Sequence, residues 1–180
     1  TLNSKIVKIQ ILIDNPNSWI IPYAKNLISK INQIKSCSVK LVFSHNDVVL
    51  GDILFLLSCE KKFNKLSLNK YNLVVHESDL PKGKGWSPLT WQVIDGIKNI
   101  PITLFEANSS IDSGNIYEKI LIKTNGTELI EELRELQANA TSKLILNFIN
   151  KYPKIKGVKQ EGEESFYNKR THEHSKLNVS

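Results

Sequence analysis

Residues 6–13, Ile-Val-Lys-Ile-Gln-Ile-Leu-Ile, constrain the fold more than any other stretch. A near-continuous run of β-branched and apolar side chains suits a strand buried on both faces, and such strands occur in sheets covered by helices. The run stops at the turn cluster Asp14-Asn15-Pro16-Asn17. Ile20, Tyr23, Ala24, Leu27, Ile28 and Ile31 then recur at helical spacing, which predicts an amphipathic helix over 19–34 capped by Asn17 or Ser18. A buried strand followed by a one-sided helix is the opening unit of an α/β domain.

The rest of the chain repeats that alternation. Strands are expected over 38–43, 52–57, 72–75, 101–107 and 116–123. Ser87-Pro88 opens a short helix that closes at Asp95-Gly96, and a long helix over 128–152 carries Leu129, Leu133, Leu136, Ala140, Leu144 and Phe148. The expected architecture is a single α/β domain with a Rossmann-like, mostly parallel central sheet flanked by helices, covering residues 1–152. Residues 153–180 are polar and read as a C-terminal extension.

With 41% hydrophobic and 23% charged residues, the chain belongs with globular proteins. No apolar run approaches the roughly 20 residues of a membrane span, and no signal-peptide pattern opens the chain, so a cytoplasmic location without membrane attachment is expected. Cys37 and Cys59 are too few for a disulfide framework and lack metal-ligand spacing. The net charge of +6 comes from scattered lysines without aromatic interleaving, which describes a solvated basic surface, and nucleic acid is not an expected partner. His172-Glu173-His174 reads as exposed tail, so no metal is expected.

In open α/β sheets, ligands bind beyond the carboxyl ends of the strands. Three polar stretches follow expected strands: Ser58-Cys59-Glu60, His76-Glu77-Ser78-Asp79, and residues 108–114. A histidine leaving a buried strand into a Pro/Gly-rich loop is placed to carry a proton near neutrality. Asp112, in Ile-Asp-Ser-Gly, can hold and polarise an imidazolium.

His76-Glu77-Ser78-Asp79-Leu80-Pro81, Lys84-Gly85, Ser87-Pro88, Trp91, Gly96 and Asp112-Ser113-Gly114 together resemble the formyltransferase family. Its pattern is approximately N-x-H-P-S-L-L-P-x-x-[RK]-G followed by D-x-G. The resemblance is specific over residues 52–123 and looser over the first strand and helix. It implies transfer of a formyl group from N10-formyltetrahydrofolate, as cosubstrate, to an amine. It also implies His76 as the catalytic histidine and Asp112 as the carboxylate that orients it. The folate would lie among Leu57, Ser58, Cys59, Asn108, Ser109 and Ile111. Val74 stands where the family has asparagine, so protonated His76, aided by a backbone N–H or a polar side chain such as Ser58 or Asn108, is expected to stabilise the oxyanion.

The Gly-rich phosphate loop of glycinamide ribonucleotide formyltransferases is absent after the first strand, and the chain is expected to stop short of the RNA-binding domain of methionyl-tRNA formyltransferases. The 76–92 stretch and the tail look most like formyltransferases acting on amino sugars. The expected acceptor is therefore an amino sugar, nucleotide-linked, met by Lys82, Lys84 and Trp86. The alternatives are a methionyl-tRNA formyltransferase-like enzyme and a degenerate folate or nucleotide-sugar binding module. A homodimer stays open.

Overall fold

A computed structural model describes residues 4–170. Six strands form one sheet in the order β2-β1-β3-β4-β6-β7: β1 (Val7–Leu12), β2 (Cys37–Val42), β3 (Gly51–Leu56), β4 (Asn69–His76), β6 (Asn99–Glu106) and β7 (Ile116–Lys123). The first four run parallel, while β6 and β7 are antiparallel to their neighbours. Helices α1 (Ile21–Asn32) and α3 (Ile130–Lys151) pack on one face, burying Ile9, Ile11, Phe55, Leu73, Leu144 and Phe148. The opposite face has its own apolar layer of Leu12, Val42, Leu54, Leu56 and Phe63, covered by the 3₁₀ turn His45–Asp47 and the connection from β3 to β4. No helix among the described residues is long and apolar enough to cross a membrane.

Two expected caps are not used. Asn15 closes a side-chain turn on the Asn17 N–H at 2.9 Å, and α1 begins at Ile21 with no side-chain cap. The short helix α2 (Pro88–Ile94) keeps Pro88 in its first turn, but Ser87 sits at φ +49° and its hydroxyl makes no cap. In both places a left-handed or locally bonded turn has replaced the extended geometry a capping side chain needs.

The C-terminal extension, as far as it is described, lies against the body. β8 (Phe166–Tyr167) pairs in parallel with β5 (Lys84–Gly85), Val158 bridges to Ile116, and the Tyr167 ring stacks on Trp91 with planes 9° apart.

Candidate active site

The last residue of β4 is His76, which is 6% exposed. Its Nε2 lies 2.7 Å from the carbonyl oxygen of Gly83, an atom that only accepts, so Nε2 carries the hydrogen and Nδ1 holds the lone pair of the neutral ring. Phe105, across on β6, meets the ring edge-on at 6.3 Å. Asp112 Oδ2 lies 3.7 Å from Nε2, beyond hydrogen-bond range but close enough to stabilise an imidazolium.

Asp112 is fixed by its loop. The residue adopts φ +50°, and its Oδ2 accepts the Gly85 N–H at 2.9 Å. Gln160, from the extension, donates to the carbonyls of Asp112 and Gly114, both at 2.8 Å. Gly114 is required by space: a Cβ there would fall 1.6 Å from the carbonyl oxygen of Glu106. The aspartate-x-glycine pattern thus encodes a left-handed carboxylate followed by a residue pressed flat on β6.

His76, Gly85, Phe105 and Asp112 line one cleft of about 520 Å³. Its apolar floor is Leu56, Phe63, Val74, Phe105 and Ala107, and its walls come from residues 58–62, 85–88, 108 and 110–112. Ser58, Cys59, Asn108, Ile111 and Trp86 line it, as do His76 and Asp112. Leu57 does not: it is buried in the layer under the helices, and alternation along the strand gives its place to Leu56. Ser109 gives way to Ser110, while its own carbonyl accepts from Lys62 Nζ. Residues 108–112 arrive by an unexpected route. Because β6 runs antiparallel to β4, its loop starts level with Asn72, whose carbonyl accepts the Ala107 N–H at 2.8 Å, and then folds back toward His76.

The two lysines assigned to an acceptor lie elsewhere. Lys82 is exposed and outside the cleft lining. Lys84 is 1% exposed, with Nζ 2.7 Å from Glu164 and 3.0 Å from Ser113 Oγ. It ties the extension to the Asp112 loop, because an ammonium turned inward must find acceptors there.

Sequence reasoning passed over Glu77 and Gln137, which both line the cleft. Gln137 Nε2 donates to Glu77 Oε1 at 2.5 Å. Burial pushes the Glu77 carboxyl up, against the opposing pull of His76 and the Gln137 bond. The available signals were an acid where the family pattern has proline, and a polar residue interrupting the apolar stripe of the last helix.

The wall at 58–62 is anchored by Asp14 at the end of β1. Its carboxylate accepts the N–H groups of Glu60 at 2.8 Å and Lys61 at 3.0 Å, and meets His45 Nε2 at 3.0 Å. Burial alone would raise this carboxyl, yet those bonds outweigh it and hold it low. Burial and the Asp14 charge push the Cys59 thiol up to about 12, so it stays protonated at neutral pH and is no nucleophile. No group of three or more His, Cys, Asp or Glu among the described residues could hold a metal ion, and His172-Glu173-His174 lies outside them.

No family model matches the chain. It is 35% identical over 114 residues to a methionyl-tRNA formyltransferase of Thermosipho melanesiensis, covering 63% of this chain and 37% of that protein. It is 27% identical over 154 residues to the Rickettsia massiliae methionyl-tRNA formyltransferase, covering 85% and 46%. The chain therefore spans less than half the length of these relatives. Methionyl-tRNA formyltransferase from Clostridium thermocellum superposes with TM-score 0.76 at 24% identity, over 97% of this chain and 77% of that one. HypX from Aquifex aeolicus, solved in complex with tetrahydrofolic acid, gives TM-score 0.78 at 16% identity, over 96% and 31%. A 4-N formyltransferase from Francisella tularensis gives 0.66 at 18%, over 89% and 76%. At such identities the superpositions speak for a shared fold. Sequence relatives and fold agree: over its described length the chain is similar to formyltransferases.

Proposed function

We propose that this protein transfers the formyl group of N10-formyltetrahydrofolate to the amine of an amino sugar carried on a nucleotide, with residues 1–152 as the catalytic unit and 153–180 as an extension. The observation that carries the reading is His76 at the head of an apolar-floored cleft, with Asp112 3.7 Å from its Nε2. A flat pterin suits a floor of Leu56, Val74, Phe105 and Ala107 edged by the polar backbone of 58–59, 108 and 110. When bound, N10-formyltetrahydrofolate supplies an electrophilic formyl carbon whose oxygen becomes negative as an amine adds. His76, its Nε2–H committed to Gly83, moves protons through Nδ1. Asp112 stabilises the ring when it is charged.

Negative charge on oxygen needs a donor, and Val74 has none. Asn108 is our assignment. Its Oδ1 accepts the Ser110 N–H at 2.9 Å, and no acceptor among the described residues meets its Nδ2. Trp86, 48% exposed on the cleft rim with Lys169 Nζ 5.2 Å over its ring, is the flat surface assigned to a sugar or base. Lys82 remains a point charge on the neighbouring surface, and Lys84 is left out of acceptor binding by its burial. A cytoplasmic setting, in which free Cys37 and Cys59 stay reduced, belongs to the same reading.

The names of the sequence relatives favour a second reading, methionyl-tRNA as acceptor. A mass-spectrometric screen with N10-formyltetrahydrofolate tests both. One formyl unit gained by a nucleotide-linked amino sugar supports the first; gain by methionyl-tRNA alone replaces it with the second; binding of a folate analogue with no formylated product from any amine sinks both.

A further inference from the structure

The cleft bends around the end of β4. On one side of the sheet its floor is apolar, with Leu56, Val74 and Phe105. On the helix-covered side it is bounded by Val75, Glu77 and Gln137. Strand alternation explains the division, since Val74 and His76 point one way and Val75 the other. Glu77, the next residue, turns to the side of α3, as its bond to Gln137 shows.

Glu77 is gripped from two helices. Gln92 of α2 donates to its backbone carbonyl at 2.5 Å, and Gln137 of α3 donates to Oε1 at 2.5 Å. The backbone N–H of Glu77 itself also bears on the carboxylate. A carboxylate held in place by a side-chain amide on a cleft wall, with lone pairs to spare, is a fixed acceptor for an N–H cation. The ionisable groups acting on it are His76 and Asp112. Lys61 and Lys62 stand on the wall formed by the loop after β3.

We propose that Glu77 is a further catalytic residue, binding the acceptor amine as its ammonium and taking the proton that must leave before the nitrogen can attack. This rests on the formyl-transfer reading. The cleft then has two arms, an apolar one for the pterin and an acidic one for the amine, meeting at His76. The protons balance. The ammonium gives one proton to the Glu77 carboxylate, and its freed lone pair forms the bond to the formyl carbon. The bond from that carbon to N10 breaks with its electron pair. His76 takes the second proton from the attacking nitrogen and gives one to N10. Glu77 returns its proton to solvent, so one ammonium and one formyl donor yield a formamide, tetrahydrofolate and a free proton. Burial raises the carboxyl toward the range where it exchanges a proton with an amine.

The test uses UDP-glucosamine and UDP-glucose, which differ by an amine for a hydroxyl, titrated calorimetrically at pH about 6.5, where the amine is an ammonium. Wild type is expected to bind the amine about 10-fold more tightly than the hydroxyl compound, the scale of one charge-assisted hydrogen bond. Glu77→Gln is expected to remove that preference and leave the Kd of 5-formyltetrahydrofolate unchanged, which also shows the variant is folded. A preference retained in Glu77→Gln, or absent in wild type, overturns the proposal. Formyl transfer that survives in Glu77→Gln with unaltered KM for the amine sinks the role of Glu77 alone. A preference that vanishes in Glu77→Gln while no amine is ever formylated sinks the reaction and keeps Glu77 as an ammonium site.

Discussion

Val74 and Asn108 face the same cleft, one without a hydrogen-bond donor and the other with an uncommitted one. If Asn108 supplies the oxyanion donor, Asn108→Ala lowers kcat by about 10²- to 10³-fold with little change in the folate KM. Val74→Asn, which restores the family's amide, then recovers part of that loss in the double variant. Steady-state kinetics on the four proteins decide it, and additive effects of the two changes would rule out a shared role. Glu77 carries a prediction about stability. Below its ordinary value of 4.5 the carboxyl is protonated in both states and contributes nothing. As pH rises past that value the unfolded chain gives up its proton while the folded one retains it, so stability falls until the folded group also ionises. Glu77→Gln removes this penalty. Its Tm advantage over wild type should be small near pH 4 and widen toward neutrality, by about 2–4 °C for each 1 kcal/mol. A constant offset across the range would mean that burial does not raise Glu77.

At the scale of elements, the two-stranded pairing of β5 with β8 positions the Asp112 carboxylate. Gly85 adopts φ +96°, and a Cβ there would lie 2.6 Å from the Tyr167 carbonyl oxygen, while its N–H holds Asp112. Gly85→Ala therefore displaces β8 and loosens Asp112 together. The expected outcome is at least a tenfold loss of turnover, about 1–3 kcal/mol of strain, and faster proteolysis within 156–170. Unchanged proteolysis with full activity would show that the pairing does not set the site. The sheet strands and the long helix were legible because each has a strong apolar period, as in residues 6–13 and the Leu133-Leu136-Ala140-Leu144 stripe. β5 and β8 were not, since two residues apiece carry no period. The antiparallel turn at β6 was hidden for a related reason: a buried strand reads the same in either direction, and only its partner fixes the sense.

Across the whole molecule, the polar extension is part of the site's scaffold rather than a free tail, as far as residue 170. Gln160 grips the Asp112 loop, Ser165 accepts the Gly83 N–H at 2.7 Å, and Glu164 meets the buried Lys84. Composition could not reveal this, because its polar groups look outward in sequence yet bond to backbone and to one ammonium in space. Removing the exposed member strands the buried ammonium, whereas removing the buried member leaves a carboxylate that water can solvate. Glu164→Ala should cost about 1–3 kcal/mol, moderated by its exposure, whereas Lys84→Met should be close to neutral in stability. Urea unfolding of both variants checks this, and equal stability of the two would contradict it. The histidine, the aspartate and most of the cleft wall were legible because the resemblance fixed them by spacing. Glu77 escaped because that pattern has proline there.

The role proposed for His76 is to move the protons of a formyl transfer. The most direct measurement is the rate at which an acceptor amine gains one formyl unit from N10-formyltetrahydrofolate, followed by mass spectrometry in wild type and His76→Ala. Steady gain is expected in wild type and a loss of at least about 10²-fold in His76→Ala, with 5-formyltetrahydrofolate still bound by the variant. Formylation by His76→Ala at the wild-type rate would contradict it.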